Sequence, residues 1–401
     1  MHNRLFSSWP SFSHEEAEKV RQVLLSNNVN YWTGQEGRAF EKEFAEFAGT
    51  EFAIALANGT VALDLAFRVL GIGPGDEVVV TSRTFFASVS AIVNCGAAPV
   101  FADVERDSQN ISADTISQVL SSKTKAVVCV HLAGWPCDMD PIMQLAKDRD
   151  FFVIEDCAQA HGAEYKGKSV GSIGHVGCWS FCQDKIMTTG GEGGMVTTND
   201  KSLWSAMWSY KDHGKSWEAV YEREHPLGFR WVHDSFGTNW RMTEMQAAIG
   251  RIQLKRMPEW NRKRRNNAEA IWEGARNLPN IRVSGLRCSG CDGACGSTKA
   301  CTHAAYKCYL FVTGGEPLRD KMLKCINEKG VPCFSGSCSE VYLEAAFDNS
   351  PFRPRERLPV ARELGETSLM LLCHPTLTND EIKKTCDVVR EVAFELCPKR
   401  V

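Results

Sequence analysis

The sequence predicts an α/β fold, with a large domain holding a mostly parallel sheet between helices and a smaller C-terminal α+β domain. Three observations carry this expectation. Short β-branched runs such as Val78-Val79-Val80 and Val127-Val128 alternate with helix-periodic segments over the first 200 residues, the rhythm of a parallel sheet covered on both faces. Thr60, Phe85, His131, Asp156 and Lys185 all fall at or just after predicted strand ends, where sheets of this kind bind ligands. Beyond about residue 200 the pattern becomes helical and then mixed. The expected division is a large α/β domain with an N-terminal arm over 1–255 and a small α+β domain over 256–401, the latter with a Cys-rich loop at 288–308.

Bulk properties narrow the function. A chain of 401 residues is long enough for one large core and a second smaller one. Its formal charge of −3 gives no electrostatic reason to expect nucleic acid or an anionic membrane. No run of eighteen apolar residues occurs, and the start, MHNRLFSSWPSFSHEEAEKV, has no apolar core of a signal peptide. Seventeen cysteines, odd in number and scattered, fit reduced thiols in a cytoplasmic protein.

In chain order, residues 14–26 read as an amphipathic helix that Ser13 caps, and the loop NNVNYWTGQEG after it carries exposed-type aromatics. A helix at 37–48 ends at Gly49. A short strand then stops at Asn58-Gly59-Thr60, where a helix starts; this is an anion site or an ordinary helix cap. A turn at 73–76 leads to a strand at 77–81, a helix at 84–94 with Phe85 at its start, a strand at 99–104 and a helix at 112–121. Strand 126–132, helix 138–148 and strand 151–155 follow, the last running into Asp156 and Gln159. Strands near 176–181 and 194–198 flank Lys185, which stands before Gly190, Gly191, Gly193 and Gly194. A capped helix begins near Thr243, and its basic run, Arg251 to Arg265, reads as a solvated face rather than a nucleic-acid surface. A strand within 306–314 and helices at 315–329 and 378–396 make up the small domain.

The chemistry starts from Lys185. A neutral amine at a strand end attacks aldehydes, although a lysine beside glycines is, taken alone, more often a solvated loop residue. If the aldehyde is pyridoxal phosphate, four further groups are needed. Asp156 would hold the ring nitrogen protonated, and its plain alternative is a strand-end cap. Gly59, Thr60 and Ser180 would bind the phosphate. Phe85 offers a face for the ring, or ordinary packing. Gln159 would reach the phenolic oxygen.

These residues sit in segments that resemble the DegT/DnrJ/EryC1/StrS family of sugar aminotransferases, on the fold-type I pyridoxal phosphate scaffold. The matching stretches are ANGTVAL at 57–63, GPGDEVVVTSRTFFAS at 73–88, HLAGWPCDMD at 131–140, VIEDCAQAHGAEYKG at 153–167, SFCQDKIMTTGGEGGMVTT at 180–198 and GTNWRMTEMQAAIGRIQL at 237–254. The resemblance implies that Lys185 bonds the cofactor, Asp156 pairs the ring nitrogen and Gln159 lies beside the ring. It further implies phosphate contacts from Thr60 and Ser180, stacking by Phe85, and an asparagine, Asn239, reaching the phosphate of the neighbouring subunit in a homodimer. The implied reaction passes an amino group from an amino acid, glutamate first, to a nucleotide-linked keto-sugar, with Arg230 and Arg241 as anion contacts or plain salt bridges.

The chain departs from the family pattern in three places. Cys182 stands where the family carries histidine or phenylalanine. The segment CSEVYLEAAFDNSPFRPRERLPVA at 338–361 replaces a histidine-bearing substrate loop, so no sugar contacts carry over. Cys288, Cys291, Cys295 and Cys301, with His303 and Cys308 nearby, are compact enough for zinc or an iron–sulfur cluster, but their irregular spacing favours free thiols and no metal. Two rival readings are a dehydratase or lyase on the same cofactor and a non-catalytic relative. The dehydratase branch replaces the lysine by histidine, and Lys185 argues against it.

Overall fold

The computed structural model describes residues 6–284 and 301–396. Cys288, Cys291 and Cys295 therefore lie outside the described residues. After α1 (His14–Leu25) and α2 (Glu36–Ala48) the chain alternates β1 (Phe52–Leu56), α3 (Gly59–Val69), β2 (Glu77–Thr81), α4 (Ala87–Asn94), β3 (Ala98–Ala102), α5 (Ala113–Ser117), β4 (Thr124–Val130), α6 (Met139–Arg149) and β5 (Phe152–Asp156). A small hairpin, β6 (Glu164–Tyr165) and β7 (Lys168–Ser169), precedes β8 (Val176–Ser180) and β9 (Gly194–Thr198). Three helices follow, α7 (Lys201–Tyr210), α8 (Trp217–Tyr221) and α9 (Glu244–Ala275).

The large sheet has the order β1-β9-β8-β5-β4-β2-β3. Its β8-β5-β4-β2-β3 pairs are parallel, while β9 is antiparallel to both β1 and β8. Only β9 is reversed, so the carboxyl ends of the other six strands share one edge. Side chains alternate across the sheet. Val78, Val80, Val128, Val130 and Ile154 pack on one face with Leu65 and Ala66 of α3 and Ile92 of α4. Val79, Val127, Cys129 and Val153 face the other way, toward Met139, Ile142 and Ala146 of α6. On that second face Phe40 and Phe44 of α2 meet Trp179 and Phe181 in a cluster of tilted and edge-on rings.

A second sheet is wholly antiparallel in the order β10-β11-β13-β12, from β10 (Ile281–Val283), β11 (Cys308–Val312), β12 (Cys333–Phe334) and β13 (Ser368–Leu371). Leu310, Val312 and Leu371 pack under α10 (Glu316–Glu328) and α12 (Asn379–Leu396), while Tyr309, Phe311 and Met370 turn toward α11 (Pro359–Thr367) and the large sheet. The 32-residue α9 joins the two cores. Thr243 and Gln246 form its capping box, Met257 packs with Phe44, and Trp272 packs with Leu310. Among the described residues no helix is long and apolar enough to cross a membrane.

Four expectations need correction. Helix 84–94 starts only at Ala87, because Arg83 is drawn into the core, where Nε donates to Gln109 (3.1 Å) and Nη2 to Ser368 (2.9 Å). Helix 112–121 stops at Ser117, whose hydroxyl bonds back to the carbonyl of Ala113 at 2.7 Å. The cations of α9 are only in part a solvated face: Lys255, Arg262 and Lys263 are exposed, but Arg251 pairs with Glu36 and Glu43, Arg256 with Glu15 and Glu16, and Arg264 is fully buried over the Trp9 ring. In the loop after α1, Tyr31 is buried and donates to Glu41 at 3.0 Å.

Phe44 ties α2 to β8 from the middle of the ring cluster. Phe44→Ala should lower unfolding free energy by about 3–5 kcal/mol, measured by urea denaturation, with the far-ultraviolet circular dichroism of the native state retained.

Candidate active site

A cavity of about 610 Å³ opens at the shared carboxyl edge of the large sheet. Gly59, Thr60, Phe85, Asp156, Gln159, Ser180 and Lys185 all line it. They come from the ends of β1, β2, β5 and β8, whose carboxyl ends share one edge of the sheet, with β9 between β1 and β8 and β4 between β5 and β2.

Each lining group has a local cause. Asn58 caps α3 by accepting the Val61 N–H at 3.0 Å. The first N–H groups of a helix have no intrahelical acceptor, so those of Gly59 and Thr60 remain available at its positive end. A Cβ on Gly59 would lie 2.6 Å from Ser180 Cβ, so only glycine lets α3 come this close to β8. The hydroxyls of Thr60 and Ser180 complete a small concave cradle. Phe85 lies in the turn before α4 with 68% of its surface exposed, so it is not a packing aromatic.

Alternation along β5 separates two adjacent acids. Asp156 faces the α4 side, where its Oδ2 accepts from Ser88 Oγ at 2.8 Å and its Oδ1 from the Ala158 N–H at 3.1 Å. Glu155 points to the opposite face and is fully buried. It accepts N–H bonds from Gly171 (2.9 Å), Ile173 (2.8 Å) and Gly174 (2.6 Å), and is 3.0 Å from His131 Nε2. The Cys137 N–H donates to His131 Nδ1 at 3.0 Å, so the ring proton sits on Nε2 and points at Glu155. His131, expected among the converging strand-end residues, thus belongs to the core and not to the cavity. Gln159 is oriented by the Ala133 N–H, which donates to its Oε1 at 2.9 Å.

Lys185 lies in the β8–β9 connection, which returns through a left-handed turn at Gly190 and Gly191 (φ +89° and +127°). Its carbonyl accepts from Trp9 Nε1 at 2.8 Å, and its side chain is 15% exposed. Nζ is 3.7 Å from Asp184 Oδ1 and 5.4 Å from the Tyr306 ring centre. Tyr306 in turn donates its hydroxyl to Asp184. Burial pushes the Asp184 carboxyl up, but the Lys185 cation and the Tyr306 hydrogen bond outweigh it and hold it low. Behind Lys185, His161 lies against Trp179 and Phe181, and burial, reinforced by the cations of Lys185 and Arg264, brings its pKa down to about 3. Sequence reasoning missed Ser88, Asp184 and Tyr306. Ser88 and Asp184 lay inside segments already singled out, whereas Tyr306 comes from 122 residues beyond Asp184 with no local signal.

Asn239 is exposed and does not line this cavity. Arg241 is tied to buried Asp212 at 2.5 Å, and Arg230 donates to the Val220 carbonyl at 2.6 Å. A second cavity, of about 580 Å³, contains Arg106, Arg282, Arg357 and Arg362. These are engaged by Glu363, Asp107, Glu340 and Glu366, so it offers no free cation for chemistry. At the predicted cysteine cluster, Cys301 Sγ accepts the Lys166 N–H at 3.4 Å, and Cys308 is buried in β11.

Known proteins resemble this chain over most of its length. The family described as DegT/DnrJ/EryC1/StrS aminotransferases matches residues 10–390. A GDP-perosamine synthase of Escherichia coli O157:H7 is 34% identical over 388 residues, covering 95% of this chain and 96% of that protein. The crystal structure of an aminotransferase from Psychrobacter cryohalolentis is 60% identical, with a TM-score of 0.93 over 98% of this chain and 99% of that one. A putative sugar aminotransferase from Streptococcus pneumoniae, in its PMP form, is 25% identical with a TM-score of 0.86 over 98% and 100% of the two chains.

The Glu155 network beneath the cavity yields a stability test. Burial alone would raise this carboxyl, but the bonds from His131, Gly171 and Gly174 hold it below the 4.5 of a free glutamate. Its stabilisation is therefore complete above that value and lost as pH falls through the lower folded value. Glu155→Gln would turn an NH2 toward backbone N–H donors and should cost about 2–3 kcal/mol at neutral pH. In urea titrations the gap between wild type and variant should narrow as pH drops below about 4.5.

Proposed function

The chain belongs to the DegT/DnrJ/EryC1/StrS aminotransferase family, and from that premise we propose that it is a pyridoxal-phosphate-dependent aminotransferase that aminates a nucleotide-linked keto-sugar. One observation carries the reading: a single cavity collects Lys185, Asp156, Gln159, Phe85 and the Gly59–Thr60–Ser180 cradle. The cradle fits a phosphate. It has free helix N-terminal donors and two hydroxyls, and a side chain at Gly59 would intrude on it. The acid and the exposed aromatic fit a flat cationic ring between them.

Pyridoxal phosphate supplies an aldehyde carbon that can carry an amino group, and a pyridinium ring that stores the electron pair of a broken C–H bond. The rest is the work of this chain. Lys185 Nζ would hold the aldehyde carbon, and as a free amine it would act as base and then acid for the proton of the donor's α-carbon. Asp156 would keep the ring nitrogen protonated. Gln159 would direct its amide toward the phenolic oxygen, and Phe85 would limit how the ring can tilt. The same residues would serve the keto-sugar as acceptor. L-Glutamate is the donor tested first.

We place this activity in the cytoplasm and in a homodimer. The support for the dimer is twofold. Asn239 does not line the cavity of its own chain, and Leu227, Phe229, Trp231 and Phe236 stand exposed on the segment leading to it, a surface that a second copy would cover. In the dimer Asn239 reaches the partner's phosphate cradle.

Adding L-glutamate to the cofactor-loaded protein should convert the cofactor to its aminated form, seen by absorbance, and GDP-, dTDP- or UDP-linked keto-sugars should then be screened for reversal. A scaffold would leave the spectrum unchanged; a lyase or dehydratase would consume the sugar without gaining an amino group. Lys185→Ala and Lys185→Arg should both abolish turnover while the protein stays folded, since neither leaves a nucleophilic amine. Full activity in either removes the assignment. Asp156→Asn should still bind the cofactor but lose about 10²-fold or more in kcat, read from steady-state kinetics with matched cofactor occupancy.

A further inference from the structure

Behind Asp156 the cavity wall carries two hydroxyls in series. Ser88 Oγ donates to Asp156 Oδ2 at 2.8 Å, and Thr84 Oγ1 lies 2.8 Å from Ser88 Oγ. Both residues are about 1% exposed. A hydroxyl has a single proton to give. That of Ser88 is committed to the carboxylate, which as an anion only accepts, so Thr84 must donate to Ser88. The order runs one way, from Thr84 through Ser88 to Asp156. The opposite order would require Thr84 to find another acceptor for its proton, and among the described residues its hydroxyl bonds only to Ser88.

We propose that Thr84 and Ser88 form a positioning relay that keeps the shared proton on the cofactor's ring nitrogen and off Asp156. The proposal rests on the reading of the cavity as a pyridoxal phosphate site. A proton between the ring nitrogen and Asp156 has two possible homes, one with a charged pair and one with both groups neutral. Hydrogen bonds to a carboxylate are stronger than those to a neutral acid. The Ser88 hydroxyl and the Ala158 N–H, one on each oxygen, both act as donors, so both favour the charged pair. The Thr84 donor polarises the Ser88 hydroxyl and strengthens its bond to Asp156. Thr84 and Ser88 are themselves almost wholly buried, so the relay is formed within the protein and not through solvent. The spacing of four residues puts Thr84 and Ser88 about one turn apart across the entry to α4, and the late start of that helix lets Thr84 face Ser88 rather than solvent.

The test uses the full chain loaded with pyridoxal phosphate carrying 15N in its ring, and reads the ring nitrogen's chemical shift with no donor present. Wild type should show the protonated position. Ser88→Ala should move the signal toward the unprotonated position, Thr84→Val should move it in the same direction by less, and Thr84→Ser, which keeps the hydroxyl, should match wild type. The half-reaction with L-glutamate should slow about tenfold in Ser88→Ala, with the KM for glutamate unchanged. An unmoved signal in both Ser88→Ala and Thr84→Val overturns the relay, as does a Thr84→Ser variant that behaves like Thr84→Val, since packing would then be responsible. Should Ser88→Ala misfold, Thr84→Val decides alone, because it leaves every direct contact of Asp156 in place. Wild type that takes up no cofactor brings down the functional reading itself, whereas wild type with a protonated ring and unresponsive variants brings down only the relay.

Discussion

Along β5 successive side chains must point to opposite faces of the sheet, so the adjacent acids Glu155 and Asp156 cannot share a role. Parity sends Glu155 into the core, where three N–H groups and His131 hold it as a buried anion. The same parity turns Asp156 toward α4 and the cavity. A one-residue slip of β5 against β4 and β8 would exchange the two acids, burying the one that lines the cavity and exposing the one that anchors the 171–174 turn. The register of the parallel pairs, Val130 with Asp156 and Asp156 with Cys178, is thus what the site geometry depends on.

Much of this was legible in the residues. The β-branched runs located the strands, and the strand-end positions of Thr60, Phe85, Asp156 and Lys185 located the cavity, because both signals are local and periodic. His131 carried the same strand-end signal and misled, since its role is decided by a bond to Glu155 on the far face. The start of α4 was read three residues early because propensity cannot register the pull of Arg83 into the core, which depends on Gln109 and on Ser368 of β13. Arg251 and Arg256 of α9 looked solvated because their partners, Glu15, Glu16, Glu36 and Glu43, lie more than two hundred residues away. Tyr306 was invisible for the same reason.

The surroundings of Lys185 bear on the rival readings. Asp184, Tyr306 and the backbone contact from Trp9 place the lysine at the cavity wall, next to the glycine turn that brings β9 back into the sheet. A protein kept only as a scaffold has no need for a lysine enclosed to this degree, or for a carboxylate on the ring side with a donor on each oxygen. The second arginine-bearing cavity, similar in volume, has the opposite character: its charges are already paired within the chain.

The most direct test of the central claim is where the cofactor becomes fixed. The protein should be loaded with pyridoxal phosphate, reduced with borohydride so that any lysine-bound cofactor is made permanent, and digested for mass spectrometry. One modified peptide is expected, spanning Ser180 to Val196, with the added mass on Lys185. A label on another lysine, such as half-buried Lys307 or buried Lys211, with Lys185 unmodified, would contradict it.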